Sequence, residues 1–163
     1  MSRFYTVTFK ATNIPATNAF DFAEILPADD KPVIFHGAKF GQSGTADFGD
    51  AQEEGLPIQI IRATATVTSG SGGATPTPRL VSASGTAASF TTEVANTTVA
   101  TTSGTLEELD SFSWNVRVAE PQIMIPEFRY EFVQGQALLV RASVGPSDAI
   151  ATSTFTLYLE EIG

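Results

Sequence analysis

The sequence predicts one all-β domain, a single antiparallel β-sandwich of jelly-roll type with long loops. The chain has 163 residues, a length typical of one domain, so we take 1–163 as a single unit. Phe outnumbers Trp and Tyr together, and Thr is abundant, a composition that suits pleated, half-buried strands. Short runs of alternating apolar and polar residues are separated by turn residues, and no long helical pattern interrupts them. The connections are too long for simple hairpins, which favours a jelly roll.

Four strands are predicted in the first part of the chain. The run 4–10 alternates, with Tyr5, Val7 and Phe9 on the better core face and Phe4, Thr6 and Thr8 on the other. Short apolar runs bounded by loops follow, and Gly37 inside one of them predicts a β-bulge or the close approach of another backbone segment. These runs are strands at 20–26, 33–41 and 58–67.

The second part of the chain predicts five or six more extended segments. The segment 88–94 is a strand or a loop anchored by Phe90, and 106–118 begins with a helical turn before it alternates as a strand. Prolines bound an extended segment at both of its ends. The segment bounded by these prolines is 121–126. Strands are predicted at 127–133, 136–144 and 151–162.

A Gly, Ser and Pro stretch at 69–79 separates the two parts of the chain. A phosphate-binding loop would require a following helix and usually a Lys, and neither is present. A domain linker would leave a first domain of only about 68 residues, which is small for unaided stability. We therefore predict an exposed loop, which would contact a neighbour if the protein forms part of an assembly. Deletion of 70–77 should then spare the fold but weaken assembly. The predicted contact residues are Ser69, Gly70, Ser71, Gly72, Gly73, Thr75, Pro76 and Pro78.

Composition excludes several classes of function. The absence of cysteine removes disulfides and Cys-based zinc sites. The net charge of −9 disfavours direct binding to nucleic acid and suits a basic protein partner. No apolar run approaches the roughly 20 residues that span a bilayer, and the N-terminus lacks the apolar region of a signal peptide, so we expect a soluble chain made in the cytoplasm.

Catalytic and metal-binding patterns are weak. His36 is the only histidine, no nucleophile motif accompanies it, and its position in a strand predicts a packed or hydrogen-bonded side chain. Glutamate doublets place their side chains on opposite faces of a strand, so they do not form a carboxylate pair. The acidic loop containing Asp47, Asp50 and Glu53 is a weak candidate for calcium, although a solvated loop fits it better. We therefore predict a non-enzymatic protein without cofactors.

Aromatic residues suggest one binding surface. Trp114, Phe128, Tyr130, Phe132 and Tyr158 are the residues from which a sugar-binding platform would be built, although their period-two spacing is more typical of a core. Trp114 is also a candidate for partner contact. An exposed Trp114 would favour a carbohydrate-binding or receptor-binding module of a phage fibre or a similar assembly.

Most of the chain resembles small uncharacterised proteins of tailed phages. The resemblance lies in FSWNVRV (112–118), in 126–163 with its terminal LYLEEIG, and in 30–62 with its HG, GDAQEE and IQIIR elements. It implies a virion structural component, either a capsid decoration protein or an auxiliary head protein. The implied partner is the major capsid protein or another virion protein, and the implied state is a symmetric homo-oligomer, with a trimer favoured. No site residues follow from the resemblance.

Overall fold

Two antiparallel sheets pack face to face and form the all-β sandwich that the sequence predicts. The computed structural model describes residues 2–11, 14–42, 53–82, 85–150 and 152–163. Within these ranges a single 3-10 turn, η1 (Pro126–Phe128), accompanies the strands. The strands are β1 (Ser2–Ala11), β2 (Phe20–Leu26), β3 (Val33–Gln42), β4 (Gly55–Thr64), β5 (Val67–Thr68), β6 (Arg79–Leu80), β7 (Thr91–Asn96), β8 (Thr101–Thr102), β9 (Leu106–Asn115), β10 (Glu120–Ile123), β11 (Tyr130–Phe132), β12 (Gln136–Ala142) and β13 (Ser153–Ile162).

The order of the strands is that of a jelly roll. The first sheet has the order β10-β3-β13-β1-β6, with β11 also paired to β3, and the second has the order β7-β2-β12-β4-β9. The chain alternates between the sheets from β1 to β4 and again from β9 to β13, except that β10 and β11 both pair with β3, and all strand pairs are antiparallel. This alternation confirms the predicted jelly-roll sandwich. The strands before residue 69 and the strands after residue 79 each contribute to both sheets, so 69–79 does not separate two folded units.

The core lies between the inner faces of the sheets and is rich in aromatic rings. Phe22 makes edge contacts with Phe40 at 5.3 Å and with Trp114 at 6.0 Å between ring centroids. Trp114 is fully buried, and its indole Nε1 donates a hydrogen bond to the carbonyl oxygen of Val118 at 2.9 Å. The prediction that Trp114 contacts a partner is therefore wrong, because the ring lies on the inner face of β9 and packs against both sheets.

Gly37 forms the predicted bulge. Its φ is +148°, and a Cβ there would lie 2.3 Å from the carbonyl oxygen of Gln122 in β10. The register between β3 and β13 shifts at this point, opposite Tyr158 and Leu159. Glycine therefore lets β10 approach β3 closely while β11 pairs with the other half of the same strand.

Three predicted segments differ from the structure. The strand predicted at 58–67 is divided, because β4 ends at Thr64 and Ala65 has a φ of 63° before β5 begins. The segment 106–118 has no helical turn at its start, because β9 pairs with β4 from Leu106 onwards. The strand predicted at 127–133 is divided into η1 and the shorter β11. Phe90 does anchor the segment before β7, since its ring meets that of Tyr5 at 5.5 Å. Local sequence did not reveal which of these segments would find a partner strand.

Residues 69–80, which we call the strap, connect the edges of the two sheets. Ser71 pairs with Thr98, and Ala74 exchanges two backbone hydrogen bonds of 2.9 Å with Val94 in β7. The strap ends as β6, where Leu80 pairs with Tyr5 of β1. The strap lies on the surface as predicted, but its backbone is bonded to both sheets, so it does not project freely.

Candidate functional site

The outer faces of the two sheets differ in coverage. The outer face of the second sheet is covered by the chain itself, since Ile61, Ala63 and Leu139 form a small core with Ala100 of the 97–105 segment. Val67 of β5 packs against the same cluster. The outer face of the first sheet has no such covering among the described residues. We call it the open face; its register positions run along β1, β13, β3 and β10.

An apolar groove lies at one end of the open face. Its volume is about 330 Å³. A second cavity of about 430 Å³ adjoins it between the start of β1 and the residues that follow β6, and shares Phe4 and Val81 with it. Phe4 is 46% exposed, Val81 66% and Ile123 58%. Exposed large side chains that meet in one concave site are a feature of protein-interaction surfaces. The groove is lined by Phe4, Tyr5, His36, Val81, Ile123, Tyr158 and Leu159.

His36 supports the wall of the groove. Its Nε2 lies 2.8 Å from Oε2 of Glu160 on the neighbouring β13, and its ring meets the Phe4 ring at 5.4 Å in an edge contact. These contacts confirm the predicted packed and hydrogen-bonded side chain. The hydrogen bond to Glu160 fixes the His36 ring, and the ring contact fixes Phe4 against it. The groove therefore has a defined apolar shape.

Beyond the groove the open face is lined by threonines and cations. The hydroxyls of Thr8 and Thr156 lie 3.1 Å apart across β1 and β13. Lys39 pairs in register with Thr156, and Arg79 pairs with Thr6. This half of the face is therefore positively charged, although the whole chain has a net charge of −9.

The predicted calcium residues are only partly within the described ranges. Asp47 and Asp50 lie outside them, whereas Glu53 is exposed and accepts a hydrogen bond of 2.7 Å from Nδ2 of Asn115. Within those ranges no three His, Asp or Glu side chains are grouped so that they would hold a metal ion. Nor does any helix there have the length and apolar character needed to cross a bilayer.

The strap contains the predicted contact residues Ser69, Gly70, Ser71, Gly72, Gly73, Thr75, Pro76 and Pro78. Six strap residues (70–75), together with Glu93 and Asn96 of β7, surround a shallow polar cavity of about 240 Å³. Beneath it the buried carboxylate of Glu24 accepts hydrogen bonds from the Ser69 hydroxyl at 2.7 Å and the Gly70 amide at 3.1 Å. Pro76 accepts a hydrogen bond from the Thr92 hydroxyl at 2.6 Å. The start and middle of the strap are thus held by β2 and β7.

Burial raises the pKa of Glu24 above its usual value of 4.5. The hydrogen bonds from Ser69 and Gly70 lower it, while the nearby charges of Glu93 and Asp21 raise it further, and the net direction is upward. An acid whose pKa is raised by folding contributes most stability below its unfolded pKa and loses that contribution as the pH rises through the folded value. Glu24 therefore makes the stability of the fold dependent on pH.

Glu24→Gln should remove this pH dependence. Going from pH 4.5 to pH 7.5, we expect the free energy of unfolding of the wild type to fall relative to that of the variant, because only the wild type must ionise a buried carboxyl. Urea titrations of both proteins at several pH values measure the difference. The exposed Glu127→Gln is the control and should show no such trend. A difference that stays constant or increases with pH would contradict the assignment.

Sequence reasoning did not identify the groove. The alternation of β1 assigned Phe4 to the non-core face. A large aromatic residue on an otherwise polar face often marks a contact surface, so Phe4 was the signal in the sequence that pointed to the groove. Val81 and Ile123 gave no comparable signal, because they reach Phe4 only through the pairing of β6 and β10 with other strands.

No family model, curated protein or solved structure matches this chain. The candidate site is therefore defined by its geometry alone.

Proposed function

We propose that the protein is a non-enzymatic structural component of a tailed-phage virion, a capsid decoration or auxiliary head protein that binds the major capsid shell as a symmetric oligomer. A trimer is the favoured state. The observation that supports this proposal best is the contrast between the two sheets: one outer face is covered by the chain, while the open face presents the apolar groove formed around Phe4, Val81 and Ile123. Jelly rolls are common among viral capsid domains, which agrees with this function.

The form of the groove fits a protein partner. Its lining is apolar, and among the described residues that form it His36 is the only titratable side chain besides tyrosine; the Nε2 of His36 is bonded to Glu160. Interface cores are depleted of charge and accept apolar or aromatic side chains, with polar residues at the rim. The threonines and cations beside the groove would form such a rim.

The structure offers less support for a carbohydrate-binding module. Trp114 and Phe132 are fully buried, so they do not contribute to a platform for sugar rings. Phe128 is 64% exposed, but it lies in η1, at the edge of the first sheet. A flat aromatic platform is therefore not formed by the residues from which the sequence would build it.

Ile123→Asp should prevent incorporation into virions. We expect the wild-type chain at a stoichiometric copy number in gradient-purified virions of the phage that encodes it, and at least a tenfold reduction (about 1.4 kcal/mol) for the variant, since it places a charge in the apolar groove. Quantitative mass spectrometry of the particles measures the copy number. Val144→Asp, at a residue that is 53% exposed and does not line the groove, should be incorporated normally. Virions without the wild-type chain would refute the proposed function.

A further inference from the structure

Charge is segregated between two surfaces of the molecule. Lys10, Lys39 and Arg79 are exposed on the open face, and the structure gives them no carboxylate partner among the described residues. Glu108 is an exposed acid on β9, at the edge of the second sheet, where its carboxylate accepts a hydrogen bond from Gln59, while the adjacent Glu107 is paired with Arg62 on the other face of the strand. Surfaces of opposite charge on one chain attract each other between copies, even when the whole chain is strongly acidic.

The β9 edge also presents an apolar residue beside its acids. Leu106 is 43% exposed, and β9 pairs with β4 alone, so its outer edge lacks a neighbouring strand in the described part of the chain. Leu106 and Glu108 pair with Ala63 and Ile61, which places them on the same face of β9. Residues two apart in a strand are separated by about 7 Å, so the Leu106 side chain and the Glu108 carboxylate project from β9 about 7 Å apart.

The open face has the complementary pair at the same spacing. Ile123, in the groove, pairs with Gly37 of β3, and Lys39 lies two residues further along β3 on the same face. The separation along the strand is again about 7 Å. If a leucine on a docked strand packs beside Ile123, a carboxylate two residues further along that strand would therefore lie next to Lys39.

We propose that the open face binds the β9 edge of a second copy of this chain, with Leu106 in the groove and Glu108 against Lys39. This inference rests on the proposed function and identifies the contact that would build its symmetric oligomer. The two surfaces are different, so the contact is heterologous, and repetition of such a contact closes into a ring when the rotation allows it. A cyclic trimer is one such ring.

A charge exchange between copies tests the contact directly. Sedimentation velocity of the full chain over a range of concentrations should show an oligomer for the wild type. Lys39→Glu and Glu108→Lys should each raise the dissociation constant at least tenfold, because each places like charges opposite one another. The double variant restores an opposite pair and should return the constant to within about threefold of the wild type. Asp148→Lys reverses an exposed charge in the connection between β12 and β13, outside the groove and the β9 edge, and should have no effect.

Three results would overturn the proposal. They are a wild type that stays monomeric at high concentration, two single variants that assemble normally, and a double variant that fails to recover while circular dichroism shows all variants folded. Loss of virion incorporation by Lys39→Glu with unchanged self-association would assign the open face to a different protein. A monomer found in virions would refute this inference and the proposed oligomeric state but leave the virion role standing, whereas a ring absent from virions would refute only the virion role.

Discussion

Asp21→Ala is expected to destabilise the fold by about 3–5 kcal/mol, because it leaves a buried guanidinium without its partner. Asp21 is fully buried, and its carboxylate accepts hydrogen bonds from Nε and Nη2 of Arg141 at 2.5 and 3.0 Å. The same carboxylate accepts the amide hydrogen of Ala100 at 2.7 Å, while Arg141 donates to the carbonyl oxygen of Ala100 at 2.7 Å. The pair therefore joins β2, β12 and the segment that precedes β8.

A double-mutant cycle separates the pair from its surroundings. Arg141→Met alone should cost a similar amount, and the double variant should be at least about 2 kcal/mol more stable than the sum of the single effects predicts, since no unpaired charge remains. Urea denaturation measures all three variants. Glu107→Ala also removes the carboxylate partner of an arginine, Arg62, but on the surface, so it should cost less than about 1 kcal/mol. Equal costs for Glu107→Ala and Asp21→Ala would contradict this assignment.

Gly73→Ala is the second substitution for which we expect a large effect, a loss of more than about 2 kcal/mol. A Cβ at this position would lie 2.0 Å from the carbonyl oxygen of Val94 and 2.8 Å from the backbone carbon of Ala95. The strap would have to move away from β7 and lose the backbone pair between Ala74 and Val94. Thermal unfolding measures the loss. Thr75→Ala, at an exposed position in the same strap, should remain within about 0.5 kcal/mol of the wild type.

The same contacts change the expectation for deletion of 70–77. The sequence predicts a loop whose removal spares the fold, whereas the structure shows that this segment supplies the partners of Glu24, Val94 and Thr98. We now expect the deletion to reduce the yield of soluble protein together with stability. The Gly and Pro composition of the strap did not distinguish a free loop from one with bonded backbone, because the partners lie in β2, in β7 and at Thr98, far along the chain.

The fold class was accessible from sequence because alternation is a local property. Tyr5 and Val7 had to face a core on any sheet, and Gly37 had to mark a bulge wherever β3 lay. The bounds of β2 follow from the same logic, since turn residues flank a short apolar run. Period-two spacing also favoured a core position for Trp114, but it did not decide which face of β9 is buried.

By itself, the sequence determined an all-β, cysteine-free, acidic chain of alternating strands, because composition and periodicity depend only on neighbouring residues. Only the tertiary structure decided that one outer face is covered and the other open, since this depends on where residues 65–105 return across the second sheet. The groove likewise exists only because β6 and β10 bring Val81 and Ile123 to Phe4. Contacts between residues distant in the chain are set by strand pairing and by close packing, and neither has a local signature.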